Sequence, residues 1–209
     1  MALRAVVFDY GMVLTGPPNQ EAYAELLRIT GLPADRFEEL YWADRSAYDE
    51  GKLSGITFWQ KFLEDSGLDL GPGALDELNR WDTRLWTTQD PVMLAWQEKI
   101  RKQGLRTAIL SNMGDSVLEN MLREFDWLDR FDVLVWSYQH GIVKPDPAIY
   151  RHTLRQLGTP APETLFIDDR LVNVEAARAL GMLGLVFSTV EQLRADLNAQ
   201  GLDAELPLP

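Results

Sequence analysis

Two short apolar runs in this chain end directly at acidic residues. The run Ala5–Phe8 leads into Asp9, and the mostly apolar run Thr164–Ile167 leads into Asp168 and Asp169. Short apolar runs of this kind are typical of buried strands. In open α/β sheets, ligands bind beyond the carboxyl ends of the parallel strands. The sequence therefore predicts three carboxylates at one edge of a sheet, although an Asp after a strand can also simply open a turn or cap a helix.

Three carboxylates brought together would repel one another unless a cation or a proton lies among them. No basic residue is adjacent to Asp9 in the sequence. A metal ion is therefore a natural candidate for this edge of the sheet.

Beyond Pro91 the sequence alternates between helical and strand patterns. This alternation predicts parallel βαβ units, and therefore an α/β fold with a doubly wound, Rossmann-like parallel sheet. After the first strand, the predicted strands are Leu105–Leu110, Phe131–Trp136, Thr164–Ile167 and Leu183–Phe187. The predicted helices are Met93–Lys102, Ser116–Glu124, Ala148–Leu157, Asn173–Leu180 and a last helix that ends near Ala199, with Thr189 and Gln192 as a capping box. We expect the tail from Gly201 to Pro209 to be loosely attached.

The stretch from Glu21 to about Leu85 differs from the rest, because its apolar residues recur at helical spacing and no strand pattern is evident. Glycine and proline clusters divide it into three or four helices. We therefore expect residues 1–15 and 89–209 to form the α/β core domain, with residues 16–88 inserted as an α-helical cap domain.

Composition narrows the classes of function. The 209 residues include 32 acidic and 20 basic side chains, for a net charge of −12, which disfavours nucleic acid and anionic membranes as partners. Without cysteine, thiolate catalysis and cysteine-ligated metals are excluded. Asp9 interrupts the apolar start of the chain and no cleavage site follows, so we expect no signal peptide and a cytoplasmic protein. The sequence does not indicate an oligomeric state.

The segments at the predicted strand ends also resemble a known family. The sequences FDYGMVLT, ILSNMGD, GIVKPD and FIDDRLVNVEAARALG resemble, in order, the four motifs of the haloacid dehalogenase superfamily. Most members of this superfamily are magnesium-dependent phosphatases, and the helical insertion after the first motif matches their cap. The resemblance covers the whole chain, and four ordered motifs are far more specific than any one of them.

The resemblance implies a phosphomonoester hydrolase that acts on a small phosphorylated metabolite. Asp9 would be the nucleophile that forms an aspartyl-phosphate. Asp169, with Asp168 beside it, would hold Mg²⁺ together with Asp9 and the backbone carbonyl of Gly11. Further roles would fall to Lys144, which would neutralise charge, to Ser111 and Asn112, which would bind the phosphoryl oxygens, and to Asn173, which would support the acidic loop.

Gly11 departs from the family pattern. Most phosphatases of the superfamily carry at this position a second Asp that serves as general acid and base, a contribution of about 10²–10⁴-fold in rate. One alternative is therefore a weak or inactive member that binds a phosphometabolite or a protein partner. A branch resembling α-D-glucose-1-phosphate phosphatase also has this glycine, which favours a sugar phosphate, because an acidified leaving group needs less protonation.

Other candidates come from the remaining motifs and side chains. The 2-haloacid dehalogenases of the superfamily use the first Asp without a metal, and the Asp168 and Asp169 pair argues against that reaction.

The cap carboxylates Asp44, Asp49 and Glu50 could replace the missing acid. Trp42, Trp59, Trp81 and Trp86 could stack on a substrate, although packing is the commoner role of such residues, and His140 could approach the site.

Overall fold

The computed structural model describes residues 2–209. Its centre is a sheet of five parallel strands in the order β3-β2-β1-β4-β5. The five predicted strands are confirmed, with ends that shift by at most two residues. Their bounds are Ala5–Phe8 (β1), Arg106–Ser111 (β2), Val133–Trp136 (β3), Thr164–Asp168 (β4) and Leu183–Val186 (β5).

Helices cover both faces of this sheet, as expected for a doubly wound fold. The helices of the core are Pro91–Lys102, Asp115–Glu124, Pro147–Leu157, Leu171–Ala179 and Val190–Ala199, with single 3-10 turns at Asp126–Arg130, Ser137–Gln139 and Ala161–Glu163. Side chains of β1 alternate between the faces: Val6 and Phe8 join one buried cluster, and Ala5 and Val7 join the other. Because all four are fully buried, β1 is the apolar centre of the domain.

The inserted segment forms a separate group of helices. In chain order, α1 to α5 are Gln20–Thr30, Ala34–Ala43, Arg45–Asp49, Gly55–Ser66 and Ala74–Leu85, so that the core helices above are α6 to α10. The prediction of three or four helices missed the short α3. Local sequence sets several ends: Asn19 caps α1, Ser54 caps α4, and Gly67 ends α4 in the left-handed conformation. The buried core of this group of helices includes Leu26, Phe37, Trp59 and Leu78.

Two antiparallel segments connect the helical insertion to the core. The N–H of Gly16 donates to the carbonyl of Thr88 at 2.8 Å, and the N–H of Asp90 donates to the carbonyl of Leu14 at 3.0 Å. The expected boundaries of the cap, at residues 16 and 88, fall within these segments. The division into two domains stays a prediction.

The cap packs directly on the core beside the carboxyl ends of the strands. Gly114 lies so close under the ring of Tyr48 that a Cβ there would be 2.1 Å from it. The N–H of Gly55 donates to the carboxylate of Asp115 at 2.9 Å, and the hydroxyl of Ser137 donates to the carbonyl of Asp49. These contacts fix α3 and α4 over the loops that follow β2 and β3.

Two expectations near the C-terminus were wrong. The tail is attached rather than loose, because Leu206 is fully buried in the core and Glu205 accepts a hydrogen bond from the N–H of Leu3. Thr189 caps α10 as predicted, but the side chain of Gln192 donates to Asp196 instead of completing the capping box. Among the helices of residues 2–209, none has the length and apolar character needed to cross a bilayer.

Candidate active site

The three carboxylates named from sequence come together at the carboxyl ends of β1 and β4. Phe8 and Ile167 are paired in the parallel register, and the N–H of Asp9 donates to the carbonyl of Ile167 at 2.8 Å. The residues that follow these two strands are therefore neighbours. One oxygen from each of Asp9, Asp168 and Asp169 lies within 4.8 Å of the others.

A buried lysine lies among these carboxylates. The Nζ of Lys144, in the loop before α8, is 2.9 Å from Oδ1 of Asp9 and 2.7 Å from Oδ2 of Asp168. Only 1% of its side chain is exposed. A charged group this deeply buried is stable only when it is paired. Lys144 therefore balances one of the three negative charges and leaves two unbalanced in the cluster.

The pKa values of Asp9 and Asp169 are both raised, chiefly by burial and further by the neighbouring carboxylates. Burial raises the pKa of Asp9 to about 7, with Lys144 opposing the shift and Asp168 adding to it. Burial and the neighbouring Asp168 also raise the pKa of Asp169. A divalent cation with oxygen ligands would relieve the repulsion, so the donor set fits Mg²⁺.

Asp168 differs from the other two acids, because its carboxylate is fully engaged by the protein. Its oxygens accept hydrogen bonds from Lys144, from the N–H of Arg170 at 2.8 Å, and from the amide of Asn173 at 2.9 and 3.1 Å. Burial opposes ionisation, but Lys144 and these donors hold the pKa of Asp168 below its usual value. The carboxylate of Asp169 takes part in none of these bonds. Asp9 and Asp169 are therefore the two carboxylates best placed to hold a metal ion.

The residues expected to bind phosphoryl oxygens lie at the end of β2, in the same cavity. Ser111 is the last residue of β2 and is buried. The side chain of Asn112, however, bonds to the backbone of Lys144: its Oδ1 accepts from the N–H at 2.8 Å and its Nδ2 donates to the carbonyl at 3.0 Å. This geometry favours a role for Asn112 in positioning Lys144 over direct contact with a substrate.

Gly11 also lines the cavity, in the turn after Asp9. A Cβ at this position would lie 3.9 Å from the indole of Trp86, an ordinary contact. Packing therefore does not require glycine there. Position 11 therefore offers no carboxylate to the cavity, and the ring of Trp86 borders the space beside it.

The cavity above the carboxylates has a volume of about 370 Å³. Its walls include several residues that sequence reasoning did not assign to the site: Met12, Pro18, Arg45, Met113, Val117 and Arg170. The cap contributes Arg45 and Asp49 from α3, and Trp42 at the end of α2. A helical pattern indicates which face of a cap helix is apolar, but not which residues face a distant strand end. No feature of the sequence could therefore have singled out these cavity residues.

Arg45 organises the cap side of the cavity. Its Nε donates to Asp49 at 3.1 Å, and one terminal nitrogen lies 3.3 Å from Asp82 and donates to the hydroxyl of Tyr41. The guanidinium also lies over the rings of Tyr41 and Tyr48, 5.1 Å from each centroid. Burial raises the pKa of Asp49, although Arg45 opposes the shift.

Several other candidates lie away from the cavity. Of the three cap carboxylates, Asp49 alone lines the cavity. Asp44 pairs with Lys61, and Glu50 pairs with Lys52. Trp59 is buried in the core of the cap and Trp81 packs against that core, whereas Trp42 and Trp86 line the cavity. His140 packs against His152 at a centroid distance of 4.3 Å and is not among the cavity residues.

Comparison with known proteins identifies the family. The family model for haloacid dehalogenase-like hydrolases matches residues 3–181. The chain therefore belongs to the haloacid dehalogenase-like hydrolases. Within the family, it is 32% identical over 206 residues to Phosphatase MT3486 of Mycobacterium tuberculosis (strain CDC 1551 / Oshkosh), with 93% of this chain and 91% of that protein covered.

Two further proteins extend this comparison. The sesquiterpene phosphatase astK of Aspergillus oryzae is 30% identical over 186 residues, which cover 87% of this chain and 88% of that protein. The enzyme BT-2542 of Bacteroides thetaiotaomicron, whose crystal structure contains magnesium and inorganic phosphate, has the same fold, with a TM-score of 0.76 and 21% identity over 92% of this chain and 99% of that one. These similarities agree with the four sequence motifs.

Proposed function

We propose that this protein is a Mg²⁺-dependent phosphomonoester hydrolase that acts on a small phosphorylated metabolite through an aspartyl-phosphate at Asp9. The observation that carries the proposal is the cluster of Asp9, Lys144, Asp168 and Asp169 at the base of a cavity. The names of the two phosphatase relatives support the same reaction class. Asp9 and Asp169, with the backbone carbonyl of Gly11, would hold the metal ion.

The reaction divides into two displacements at phosphorus. In the first, a carboxylate oxygen of Asp9 forms a bond to phosphorus and the bond to the ester oxygen breaks, which releases the alcohol. In the second, water forms a bond to phosphorus, the bond to Asp9 breaks, and inorganic phosphate leaves. Bound Mg²⁺ would offset the negative charge that otherwise keeps two anions apart.

Lys144 and Ser111 would stabilise the transferring phosphoryl group. Lys144 already contacts Asp9, so its charge lies where a phosphoryl oxygen would approach the nucleophile. The Ser111 hydroxyl would donate to a second oxygen. Asn112 would hold the backbone of Lys144, and Asn173 would hold Asp168, so that both act as positioning residues.

Proton transfer is the part of the reaction that Gly11 cannot supply. We propose that Asp49 takes this role, because it lines the same cavity and its pKa is raised by burial. A carboxyl group with a raised pKa can protonate the leaving oxygen and then accept a proton from the attacking water. Arg45 would hold its orientation through the bond to Oδ1.

A dehalogenase reaction would give the Asp169 carboxylate no role. The L-2-haloacid dehalogenase RSc1362 shares the fold, with a TM-score of 0.71 at 22% identity, and this likeness concerns the fold alone. In this chain the clustering of an Asp169 oxygen with those of Asp9 and Asp168 favours a reaction that uses a metal ion.

The test is phosphate release from a panel of sugar phosphates, nucleotides, alkyl phosphates and a chromogenic aryl phosphate, with and without Mg²⁺. The wild type is compared with Asp9→Asn, which keeps the size of the side chain. We expect release that depends on Mg²⁺ and disappears in the variant. A well-folded wild type that releases phosphate from none of these esters would overturn the proposal and favour a binding role.

A further inference from the structure

The walls of the cavity differ sharply from its base. The charged residues at the base lie at the strand ends and Arg45 and Asp49 line part of the cap side, whereas Met12, Trp42, Trp86, Met113 and Val117 present apolar groups around the remaining space. These residues come from the loop after β1, from the cap and its connection to the core, and from the segment after β2. Three separate parts of the chain thus contribute to one apolar wall.

Two of these side chains remain exposed at some cost. Trp42 is 52% exposed and Met12 is 39% exposed, and the backbone of Met12 has a φ of +62°, in the left-handed region that side chains other than glycine rarely adopt. A strained residue that also leaves a large apolar side chain in water is typical of a binding site.

Two more exposed apolar side chains lie close to the cavity residues in the sequence. Leu171 and Val172 are 53% and 47% exposed, and they directly follow Arg170, which lines the cavity. Together with Met12 and Trp42 they account for four of the six large hydrophobic side chains that residues 2–209 leave exposed. Exposed large hydrophobic side chains in the wall of a cavity, such as Met12 and Trp42, are typical of a ligand groove.

The cap offers few free polar groups to sugar hydroxyls, because one oxygen of Asp49 and two nitrogens of Arg45 already have partners within the cap. The carboxylate of Asp49 accepts from Arg45, and the guanidinium of Arg45 is shared between Asp49, Asp82 and the Tyr41 hydroxyl. A site that discriminates a sugar needs donors and acceptors that its hydroxyls can complete.

We propose that the substrate is the phosphate monoester of a hydrocarbon alcohol, with its chain against Met12, Trp42 and Trp86. This inference rests on the proposed function, which supplies the phosphate site at the base. It differs from the sugar phosphate that glycine at position 11 favoured in the sequence. The volume of about 370 Å³ is near the lower end for small-molecule sites, and an open rim allows a chain to extend beyond it.

The test measures binding rather than turnover. Ethyl, butyl, hexyl, octyl and decyl phosphonates, which cannot be hydrolysed, are titrated into the wild-type protein with Mg²⁺ by calorimetry, below their micelle concentrations. We expect affinity to rise about fourfold for each added methylene until the chain outgrows the apolar surface. A sugar phosphonate of similar size should bind more weakly than hexyl phosphonate.

Two variants test which side chains contact the alkyl chain. We expect Trp42→Ala to weaken the binding of decyl phosphonate about tenfold and the binding of ethyl phosphonate much less, because the short chain does not reach the rim of the cavity. Leu122→Ala removes a side chain that is 54% exposed outside the cavity, and it should leave the dependence on chain length unchanged.

The outcomes separate this inference from the proposed function. Affinity that does not change with chain length, tighter binding of the sugar phosphonate, or no binding of any phosphonate would overturn the inference, even if aryl phosphate is hydrolysed. Affinity that rises with chain length in a protein that hydrolyses no ester would uphold the apolar site and overturn the proposed hydrolase.

Discussion

The ammonium group of Lys144 lies 2.9 Å from Oδ1 of Asp9, and only 1% and 11% of the two side chains are exposed. The same nitrogen contacts Asp168, so that one lysine holds two buried carboxylates from adjacent strands. Asp9 therefore keeps a cation beside it before any substrate or metal binds. This arrangement supports the proposal that Asp9 is the nucleophile.

Replacement of Lys144 by methionine should affect both activity and stability. We expect Lys144→Met to lower kcat by about 10²–10³-fold, because a charge that stabilises the transition state is lost. The variant should also lower the free energy of unfolding by about 3 to 5 kcal/mol, the cost of leaving a buried partner unpaired. Steady-state kinetics and urea denaturation measure the two effects.

The matched control for this variant is Lys52→Met. Lys52 is 66% exposed on the cap and pairs with Glu50 at the surface. Such pairs contribute about 0–1 kcal/mol, so activity and stability should change little. Equal losses in the two variants would contradict the role assigned to Lys144.

Mg²⁺ should stabilise the folded protein in a manner that depends on pH. At a concentration about 100 times its Kd, the ion should raise the free energy of unfolding by about 2.7 kcal/mol. Because the pKa of Asp9 is raised to about 7, protons compete with the metal below that pH, and the stabilisation should fade as the pH falls through about 7. Thermal denaturation at several pH values measures it, and Asp169→Asn should abolish it. A stabilisation that is independent of pH and of Asp169 would place the metal elsewhere.

Asp49 can be tested by its effect on different leaving groups. We expect Asp49→Asn to lower kcat for an alkyl phosphate by about 10²–10³-fold, because an alkoxide must be protonated as it leaves. For an aryl phosphate, whose leaving group is more acidic, the loss should be much smaller. Because the protonated form of Asp49 is the one that donates to the leaving oxygen, its raised pKa should also appear as the alkaline limb of the pH profile of the wild type with an alkyl phosphate, and this limb should shift or disappear in the variant.

Asp44→Asn provides the comparison for Asp49. Asp44 lies in the same cap but pairs with Lys61 and does not line the cavity. Its replacement should leave the ratio of alkyl to aryl activity unchanged. The same loss with both esters in Asp49→Asn would indicate a structural role and refute proton transfer.

The contact between the cap and the core predicts a steric effect at Gly114. A Cβ there would lie 2.1 Å from the ring of Tyr48, so Gly114→Ala must displace α3 or the loop after β2. We expect a loss of about 1–3 kcal/mol in stability, measured by urea denaturation, together with weaker substrate binding.

Gly16→Ala is the control for that glycine substitution. A Cβ at Gly16 would meet Thr88 at 3.6 Å, an ordinary contact. The change in stability should stay within about 0.5 kcal/mol. A neutral Gly114→Ala would show that the cap does not rest on the core as closely as described.

The sequence predicted the strands and the acidic edge of the sheet well, because those features depend on short apolar runs and on where each run stops. Asp9, Asp168 and Asp169 were found in this way. Lys144 needed the resemblance to family motifs, because a lysine before a proline has no local pattern that places it beside Asp9.

The cap side of the site could not be predicted in the same way. Arg45 and Trp42 face the cavity only because the packing of the cap on the core turns α2 and α3 toward the strand ends. The burial of Leu206 likewise depends on packing against core residues that are distant in the sequence.

The measurement that tests the central claim most directly is the trapping of a phosphorylated protein. Wild-type protein is mixed with substrate and Mg²⁺, quenched in acid within one turnover, and digested for mass spectrometry. We predict a transient phosphoryl group on Asp9, absent from Asp9→Asn and formed only with Mg²⁺. Phosphate release without any phosphorylated protein, or with the group on another residue, would contradict the account.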